Sequence, residues 1–307
     1  MTDHAHSPIR LAIVGSTASG KSALALAACQ SRPGFEVVSV DAMQVYRGMD
    51  IGTAKPTPAE RHDVRHHLID LVPHTDEFAL ADFQRAGVLV EADLATRGVM
   101  GIAVGGTGLY LRSIVDRLSL PGQWPTVRQT LESEPDTEVL HRRLAELDPL
   151  AATRMERTNR RRIVRALEVT IGSSRPFSSF GPGLDHYPDH GVVQIGLRWT
   201  RAVLTARIDE RVRMMIAGGF VDEVGELLAN GPLSRTASQA LGYREIAAHL
   251  DGRRSLDEAV EDTVLHTRQF AVRQDRWFRR DPRIRWIDVV NDPVAEGLAT
   301  VLEALDR

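Results

Sequence analysis

Two glycines, a lysine and a serine near the start of the chain have the spacing of a phosphate-binding loop. Gly15 and Gly20 bracket four small residues, and Lys21 and Ser22 follow directly. Glycines let backbone N–H groups converge on phosphate oxygens, the lysine supplies a mobile cation, and the serine hydroxyl can ligate Mg²⁺. We therefore predict a P-loop with Ser22 as the metal ligand. The predicted phosphate-binding residues are Gly15, Ser16, Thr17, Ala18, Ser19, Gly20, Lys21 and Ser22.

The residues that follow two other apolar runs add candidate chemistry. Kinases and NTPases usually end a neighbouring strand in an acid that holds Mg²⁺, but Ile102–Val104 leads into "GGTG", whose amides and Thr107 hydroxyl suit a second anion contact. A carboxylate, Asp41, comes instead after Val37–Val40. Ligands bind at the carboxyl ends of parallel strands, so we expect Asp41 to face the phosphate loop. Asp41 could also cap a helix over "AMQVY" or ligate Mg²⁺.

The elements that must position these residues follow from the apolar pattern. Short runs rich in branched apolar residues alternate with helical stretches, which is typical of a parallel sheet covered on both faces. We predict an α/β fold, a P-loop core with a parallel sheet covered by helices. The candidate strands are Leu11–Val14, Val37–Val40, Ile102–Val104, Val192–Leu197 and Ile284–Val289.

The middle of the chain departs from this alternation. Residues 117–190 contain a helical stretch between Pro- and Gly-rich turns, and we predict that they form a mainly helical insertion. Residues 1–116 then form the first part of the catalytic core, and residues 191–307 form its remainder with the C-terminal helices.

Composition indicates a globular protein rather than a membrane or disulfide-rich one. The 307 residues are 43% hydrophobic and 26% charged, with a net charge of −3. Cys29 is the sole cysteine, which excludes an intrachain disulfide, and we expect it to be a buried apolar residue rather than a nucleophile. The stretch "MTDHAHSPIR" has no signal-peptide core, and no apolar run reaches membrane-spanning length, so we expect a cytoplasmic protein with no membrane partner.

Lysine is scarce in this chain. Lys21 and Lys55 are the only lysines among 38 basic residues, the rest being arginine. A codon bias explains arginine on the surface, yet both lysines lie in motif-like stretches, "SGKS" and "IGTAKP". We interpret them as positions that need a point charge, which the planar guanidinium does not supply.

Several stretches in order resemble the bacterial tRNA dimethylallyltransferases, also called tRNA isopentenyltransferases. They are "GSTASGKSALA", "SVDAMQVYRGMDIGTAKP", "HHLID", "AVGGTGLYL", "RRIVRALEV", "LGYRE" and "TRQFAVRQDRWFRR". The resemblance covers nearly the whole chain, and the second stretch is its most specific part. It departs in small ways, since the family commonly has Pro at Ser16 and Ser at Ala42.

The resemblance implies transfer of a dimethylallyl group from dimethylallyl diphosphate to N6 of the adenosine 3′ of the anticodon, in tRNAs that read codons beginning with U. The phosphate loop would then hold the leaving diphosphate together with Mg²⁺. By the same resemblance, Asp41 is the base that takes the proton from the adenine amine, Thr107 lies near the reacting centre, and Arg211 reaches the phosphates. A strand-end carboxylate in the same cleft suits a general base on its own chemistry.

Binding of the tRNA anticodon stem-loop needs arginines for phosphates and aromatic rings for bases. Arg273, Arg276 and Arg280 have i, i+3, i+7 spacing, which would place them on one helix face, and Trp277 and Phe278 lie among them. A solvated face is the plain alternative. The family resemblance of "RRIVRALEV", "VRQDRWFR" and "QALGYR" favours tRNA contact instead. The tRNA-binding residues that it implies are Asp41, Ala42, Met43, Gln44, Arg128, Arg161, Arg162, Arg165, Gln239, Gly242, Tyr243, Arg244, Arg273, Arg276 and Arg280.

Three other functions remain open from the residues alone: a small-molecule kinase of the shikimate kinase type, a transferase that prenylates free adenine nucleotides, and a non-catalytic RNA-binding protein. The kinase would not need the arginine-rich insertion.

We expect the protein to be a monomer. His62, His66 and His67 lie in a stretch with helical character, and we expect structural roles for them rather than metal binding.

Overall fold

The computed structural model describes residues 7–306, so the first six residues of the polar N-terminal stretch lie outside this description. The described chain forms two compact units. One consists of residues 7–116 and 189–306, and the other of residues 117–188. The second unit ends two residues before the end of the 117–190 insertion that the sequence predicts.

A parallel sheet forms the centre of the first unit. The order of its six strands is β4-β2-β6-β1-β7-β8, and a separate pair joins β3 to β5. The strands are β1 (Ile9–Gly15), β2 (Phe35–Ser39), β3 (Tyr46–Arg47), β4 (His66–His67), β5 (Val72–Pro73), β6 (Met100–Gly105), β7 (Val193–Arg198) and β8 (Ile284–Asp288). Each of the five predicted strands is present, with ends that differ by at most two residues.

Helices cover both faces of this sheet. They are α1 (Lys21–Ser31), α2 (Pro58–Asp63), α3 (Leu80–Arg97), α4 (Gly108–Val115), α9 (Arg201–Ala217), α10 (Phe220–Ala229), α11 (Tyr243–Leu250), α12 (Leu256–Phe278) and α13 (Pro293–Leu305), with a 3₁₀ turn at Ala237–Gln239. Side chains of β1 alternate between two apolar clusters. Leu11 and Ile13 pack with α1 and α13, whereas Ala12 and Val14 pack with α3 and α4. The predicted α/β fold, a parallel sheet covered by helices, is confirmed.

The strand order brings three chain segments to one edge of the sheet. Strand β6 lies between β2 and β1, so the residues that follow all three strands are neighbours at the carboxyl edge. Gly105, at the end of β6, makes this close approach possible, because a Cβ there would lie 1.9 Å from the carbonyl oxygen of Val40. Strand β1 pairs with β6 on one side and with β7 on the other, so the order in which strands are added reverses direction at β1. Such a reversal leaves a ligand-binding crevice at the carboxyl ends of the strands.

The second unit is helical and has a core of its own. Its helices are α5 (Pro125–Glu132), α6 (Thr137–Leu147), α7 (Pro149–Thr153) and α8 (Arg160–Ser173), followed by a 3₁₀ turn at Phe177–Phe180. Leu131, Leu140, Leu144 and Ile163 are buried together in this unit. The mainly helical character predicted for the insertion is therefore observed.

Two local expectations from the sequence have different outcomes. Cys29 is buried on α1, and burial together with the nearby Glu36 raises the pKa of its thiol to about 12, so it packs as an apolar residue. The helical character expected at His66 and His67 is wrong. These residues form β4, which pairs with β2, and of the three histidines only His62 lies in a helix.

In residues 7–306 no helix is both long and apolar enough to cross a membrane.

Candidate active site

The phosphate loop joins β1 to α1 and is ready to accept an anion. Gly20 precedes α1 with φ +91°, and no side chain caps the helix, so its first amides are available to a ligand. The Lys21 ammonium is buried and donates to the Ser16 carbonyl at 2.6 Å. Lys21 therefore lies along the loop, where an entering phosphate can take over its hydrogen bond.

Two hydroxyl groups in the same loop, those of Ser19 and Ser22, lack hydrogen-bond partners within the described chain. Ser19 is 1% exposed, and its Oγ atom has no hydrogen-bond partner. Ser22 is exposed in the first turn of α1, and no contact of its hydroxyl is recorded. A buried hydroxyl without a partner costs free energy, so the loop is built to complete its hydrogen bonds with a ligand.

Asp41 and Thr107 are joined through the turn that follows β2. Asp41 Oδ1 accepts the Met43 amide at 2.8 Å, and Thr107 Oγ1 accepts the Ala42 amide at 3.3 Å. No helix follows Asp41, so its proposed role as a helix cap is wrong, and the carboxylate closes a tight turn instead. Asp41 Oδ2 and the Thr107 O–H remain available for a substrate.

The charges of this site influence one another. Burial and the neighbouring guanidinium of Arg211 lower the pKa of Lys21 to about 7, and the Asp41 carboxylate opposes this change. Burial also lowers the pKa of Arg211, and Asp41 again opposes it. Two cations and one carboxylate therefore share a partly desolvated space, where an added anion is strongly favoured.

Gln274 on α12 connects the phosphate loop to the loop that follows β6, and no motif in the sequence indicated this. Its Oε1 accepts the Thr17 amide at 2.8 Å, and its Nε2 donates to the Gly106 carbonyl at 2.9 Å. One turn earlier, the Ala271 carbonyl accepts a hydrogen bond from the Ser16 hydroxyl at 3.2 Å. The only available signal was helical spacing, since Ala271 and Gln274 are three residues apart on one face of α12.

The segment after Asp41 is held by buried charges. Gln44 uses its amide within the protein: it accepts from Ser39 and donates to the Thr53 and Ala54 carbonyls. Lys55, whose side chain is 1% exposed, donates to the Tyr46 carbonyl and to the carboxylates of Asp50 and Asp70. Three acceptors arranged around one nitrogen suit an ammonium rather than a planar guanidinium, as we inferred from the scarcity of lysine.

A carboxylate from α10 completes this segment from a distant part of the chain. Glu223 accepts the amides of Asp50, Ile51 and Gly52 at 2.9, 2.6 and 3.2 Å. Gly52 lies directly against an edge-on ring pair, and a Cβ there would be 2.3 Å from Phe220 and 2.5 Å from Tyr243. "MDIGTAKP" is therefore a structural segment that fixes the turn carrying Asp41.

Gly242 and Tyr243 are buried, which corrects their prediction as tRNA-contacting residues. The Tyr243 side chain is fully buried, and its hydroxyl donates to Glu223 at 2.6 Å. Gly242 donates its amide to Glu245 at the start of α11. Arg244 is exposed and paired with Glu245. The Gln239 side chain donates to the Arg235 carbonyl.

The C-terminal end of α12 carries exposed arginines, but the predicted face is shorter than the spacing suggests. Arg273 and Arg276 are exposed on α12, whereas Arg280 lies beyond its last residue, Phe278. Asp281 and Pro282 follow, and a proline disfavours helical geometry in the residue before it. Phe278 is buried in the core, so its expected role in base stacking is wrong.

The insertion places its predicted arginines in two settings. Arg161 and Arg162, at the start of α8, are exposed. Arg165 contacts Glu168 at 3.0 Å and also donates to the Pro121 and Gly122 carbonyls. Arg128 lies 3.6 Å from the same buried carboxylate. Arg161 and Arg162 are therefore the freer pair for an external phosphate.

These features define a class of protein. The sheet, its switch at β1 and the complete phosphate loop are those of a P-loop α/β enzyme, and β6 ends without the acid of a kinase or NTPase. Within residues 7–306 no group of three or more His, Cys, Asp or Glu side chains forms a metal cage.

Comparison with known proteins identifies the family. Family models match at residues 44–281, described as IPP transferase, and at residues 9–76, described as isopentenyl transferase. A tRNA dimethylallyltransferase from Nocardioides sp. is 48% identical over 96% of each chain. One from Streptomyces coelicolor is 50% identical over 91% of this chain and 90% of its own. The crystal structure of a tRNA isopentenylpyrophosphate transferase from Bacillus halodurans is 35% identical, covers 97% of each chain and has a TM-score of 0.70.

The chain therefore belongs to the IPP transferase family. Membership makes it an enzyme, a prenyltransferase that acts on tRNA, and the resemblance that the sequence motifs indicated is confirmed. The kinase and the non-catalytic RNA-binding protein are excluded as alternatives.

Proposed function

We propose that this enzyme transfers a dimethylallyl group from dimethylallyl diphosphate to N6 of the adenosine 3′ of the anticodon, in tRNAs that read codons beginning with U, and releases diphosphate. The observation that carries this proposal is the shared site at the carboxyl edge of the sheet. A phosphate loop with two cations, Lys21 and Arg211, faces one carboxylate, Asp41, which influences the pKa of both. An anionic leaving group and a proton acceptor are what this reaction needs.

The reaction forms one bond and breaks one. The adenine amine attacks the allylic carbon, the bond from that carbon to the diphosphate oxygen breaks, and the departing oxygen takes the electron pair. The amides of the phosphate loop, Lys21 and Arg211 stabilise the growing charge on the diphosphate. Asp41 accepts the proton that the amine loses, and the Thr107 hydroxyl lies beside it through the shared Ala42 turn.

We propose Mg²⁺ as the metal. The donor set fits this ion, because the available groups are hard oxygens: the exposed Ser22 hydroxyl and the diphosphate itself. A site with few protein ligands is usual for Mg²⁺, which keeps several waters and binds mainly through substrate phosphates. Ser22 would hold Mg²⁺ at the start of α1, where the ion would supply positive charge to the leaving diphosphate.

The target base must leave its stack to reach this edge of the sheet. We propose that the adenosine is extruded into the crevice, with tRNA entering at one side and dimethylallyl diphosphate at the other. The turn formed by Asp41, Ala42, Met43 and Gln44 then lines the base. Exposed Arg161, Arg162, Arg273 and Arg276 suit contacts with tRNA phosphates, which favours tRNA over a free nucleotide as the acceptor.

Asp41→Asn tests the general base. It keeps the shape and one acceptor but removes the basic carboxylate, so we expect turnover to fall about 10²–10⁴-fold with both substrates still bound. Single-turnover transfer to tRNA and equilibrium binding of each substrate measure the two effects. If the variant instead loses Mg²⁺-dependent binding of dimethylallyl diphosphate with little further loss of rate, Asp41 is a metal-site residue.

A parallel assay separates the acceptors. Labelled dimethylallyl diphosphate is offered with unmodified tRNA, AMP or ATP, and we expect label in tRNA alone. Label in AMP or ATP would identify a nucleotide prenyltransferase. We also propose that the active enzyme is a monomer and that it works in the cytoplasm, where its tRNA substrate is found. Sedimentation of the active species tests the monomer.

A further inference from the structure

Two side chains outside the phosphate loop hold its carbonyl groups. Trp199 follows β7 and donates its indole Nε1–H to the Ser19 carbonyl at 3.0 Å. Arg207, on α9, donates its Nε–H to the Ala18 carbonyl at 2.9 Å. The Arg207 guanidinium stacks on the Trp199 ring, 4.4 Å from the ring centroid. The two side chains form one stacked pair that holds consecutive carbonyls of the loop.

The hydrogen bonds to these two carbonyls determine where two backbone amides point. In a planar trans peptide the C=O and the following N–H point in opposite directions. The Ala18 carbonyl shares its peptide with the Ser19 amide, and the Ser19 carbonyl shares its peptide with the Gly20 amide. Because both carbonyls are held toward the stacked pair, both amides must point to the opposite side of the loop.

An independent contact identifies that opposite side. The Ser19 amide makes a long bond of 3.3 Å to the Ser16 carbonyl, and the same carbonyl accepts from the Lys21 ammonium at 2.6 Å. The Ser19 amide therefore points toward the Ser16 carbonyl oxygen, which the Lys21 ammonium also contacts. The Gly20 amide has no partner within residues 7–306 and is available to a ligand.

The loop needs this external support. Ala18 has φ +61°, in the left-handed region that a residue with a Cβ rarely adopts. A charge-assisted bond from Arg207 to its carbonyl offsets this strain and polarises the peptide, which strengthens the Ser19 N–H as a donor. Stacking on the indole keeps the guanidinium plane in place.

We propose that Trp199 and Arg207 are positioning residues for the diphosphate: they act through the loop by aiming the Ser19 and Gly20 amides at it. This inference rests on the proposed function, which makes diphosphate the ligand of the loop. Neither residue has to touch the substrate.

Trp199→Phe is the sharpest test, because it keeps a ring for Arg207 to stack on and removes the N–H, while the loss of ring volume is the same in the control below. Its matched control is Trp286→Phe on β8, whose ring packs against Gly196 and makes no recorded contact with the loop. We expect Trp199→Phe to weaken binding of inorganic diphosphate with Mg²⁺ by roughly 3- to 10-fold, the effect of one lost hydrogen bond. Affinity for tRNA and the thermal midpoint should match those of the control.

Two further readouts separate positioning from a general structural effect. In amide NMR spectra the Ser19 and Gly20 signals should move in Trp199→Phe and stay in place in Trp286→Phe. Arg207→Lys keeps the charge but loses the fixed Nε–H and the planar stack, so it should weaken diphosphate binding as Arg207→Ala does, while Arg213→Ala on the exposed face of α9 should not.

The outcomes are distinguishable. Unchanged diphosphate affinity and unchanged Ser19 and Gly20 signals in Trp199→Phe would overturn the inference. Full rescue of binding by Arg207→Lys would also overturn it, because charge rather than geometry would then matter. If the unaltered enzyme binds diphosphate but prenylates no tRNA, the proposed function is wrong. The positioning role of Trp199 and Arg207 is then still decided by the diphosphate affinities of the variants.

Discussion

Lys21 is a cation whose charge depends on the presence of its ligand. Because burial and Arg211 lower its pKa to about 7, a large share of the ligand-free enzyme holds a neutral amine at mildly alkaline pH. An entering diphosphate favours the ammonium form and raises this pKa. Binding therefore takes up a proton above about pH 7.

Proton uptake on binding makes the affinity for diphosphate depend on pH. Since the complex binds more protons than the free enzyme above about pH 7, affinity for inorganic diphosphate should fall as the pH rises, by up to roughly tenfold per pH unit. Calorimetry in buffers of different ionisation enthalpy measures the proton uptake. Lys21→Met is the control, and this variant should bind diphosphate more weakly and take up no proton at position 21. Equal pH profiles for the two proteins would contradict the prediction.

Single residues also show the limit of motif matching. The phosphate loop, Asp41 and Thr107 were predictable, because each follows an apolar strand and the strand ends of a parallel sheet meet. Gln274, Trp199, Arg207 and Glu223 were not, since each contacts the site segments from a distant part of the chain. Phe278 was predicted as a contact residue because it lies among arginines, and Tyr243 because its segment resembles one in the family, but both side chains are buried and sequence alone does not reveal this.

At the scale of elements, α12 carries both the contacts to the phosphate loop and the exposed arginines that we propose for tRNA binding. The capping box of Ser255 and Glu258 starts this helix, and its buried face carries Ala271 and Gln274 onto the catalytic loops. Its other face exposes Arg273 and Arg276. The spacing in the sequence predicted that this face also includes Arg280. Because the helix ends at Phe278, only Arg273 and Arg276 lie on one face of α12.

Salt dependence tests this pair. Replacement of both Arg273 and Arg276 by Ala should weaken tRNA binding and reduce the slope of log K against log salt by about 0.7–0.9 per arginine, because fewer counterions are released. The control is Arg279→Ala, since Arg279 is already paired with Asp275 at 2.8 Å. Affinity for dimethylallyl diphosphate should not change. An unchanged slope in the double variant would mean that this face is only solvated.

At the scale of the whole molecule, the stability of the fold includes a charge cluster around the buried Lys55, which joins residues 46–55 to residues 61–70. Lys55 holds Asp50 and Asp70, and Arg61 holds the second oxygen of Asp70 at 2.6 Å. Burial by itself would raise the pKa of Asp70, but the hydrogen bonds and charges of Lys55 and Arg61 outweigh it, so this pKa is lowered. The contribution to stability is therefore present above the unfolded pKa of about 4 and is lost as the pH falls below it.

Lys55→Met measures this contribution. It leaves two carboxylates without their cation, although Asp50 is half exposed and Asp70 keeps Arg61, so we expect a loss of about 2–4 kcal/mol in the free energy of unfolding near neutral pH. Urea denaturation at several pH values gives the measurement, and the difference should shrink below about pH 4. Arg32→Met, which removes an exposed pair with Asp306, should cost less than about 1 kcal/mol. Equal losses in the two variants would contradict the buried role of Lys55.

The position of β1 has a consequence for how the enzyme is made. Strand β1, which carries the phosphate loop, pairs on one side with β7, and β7 begins only at Val193. During synthesis at about 5–20 residues per second, that side of β1 stays open for about 10–40 s after β1 leaves the ribosome. Throughout this interval β1 has an unpaired edge next to the phosphate loop, and an open strand edge is a template for pairing with other chains.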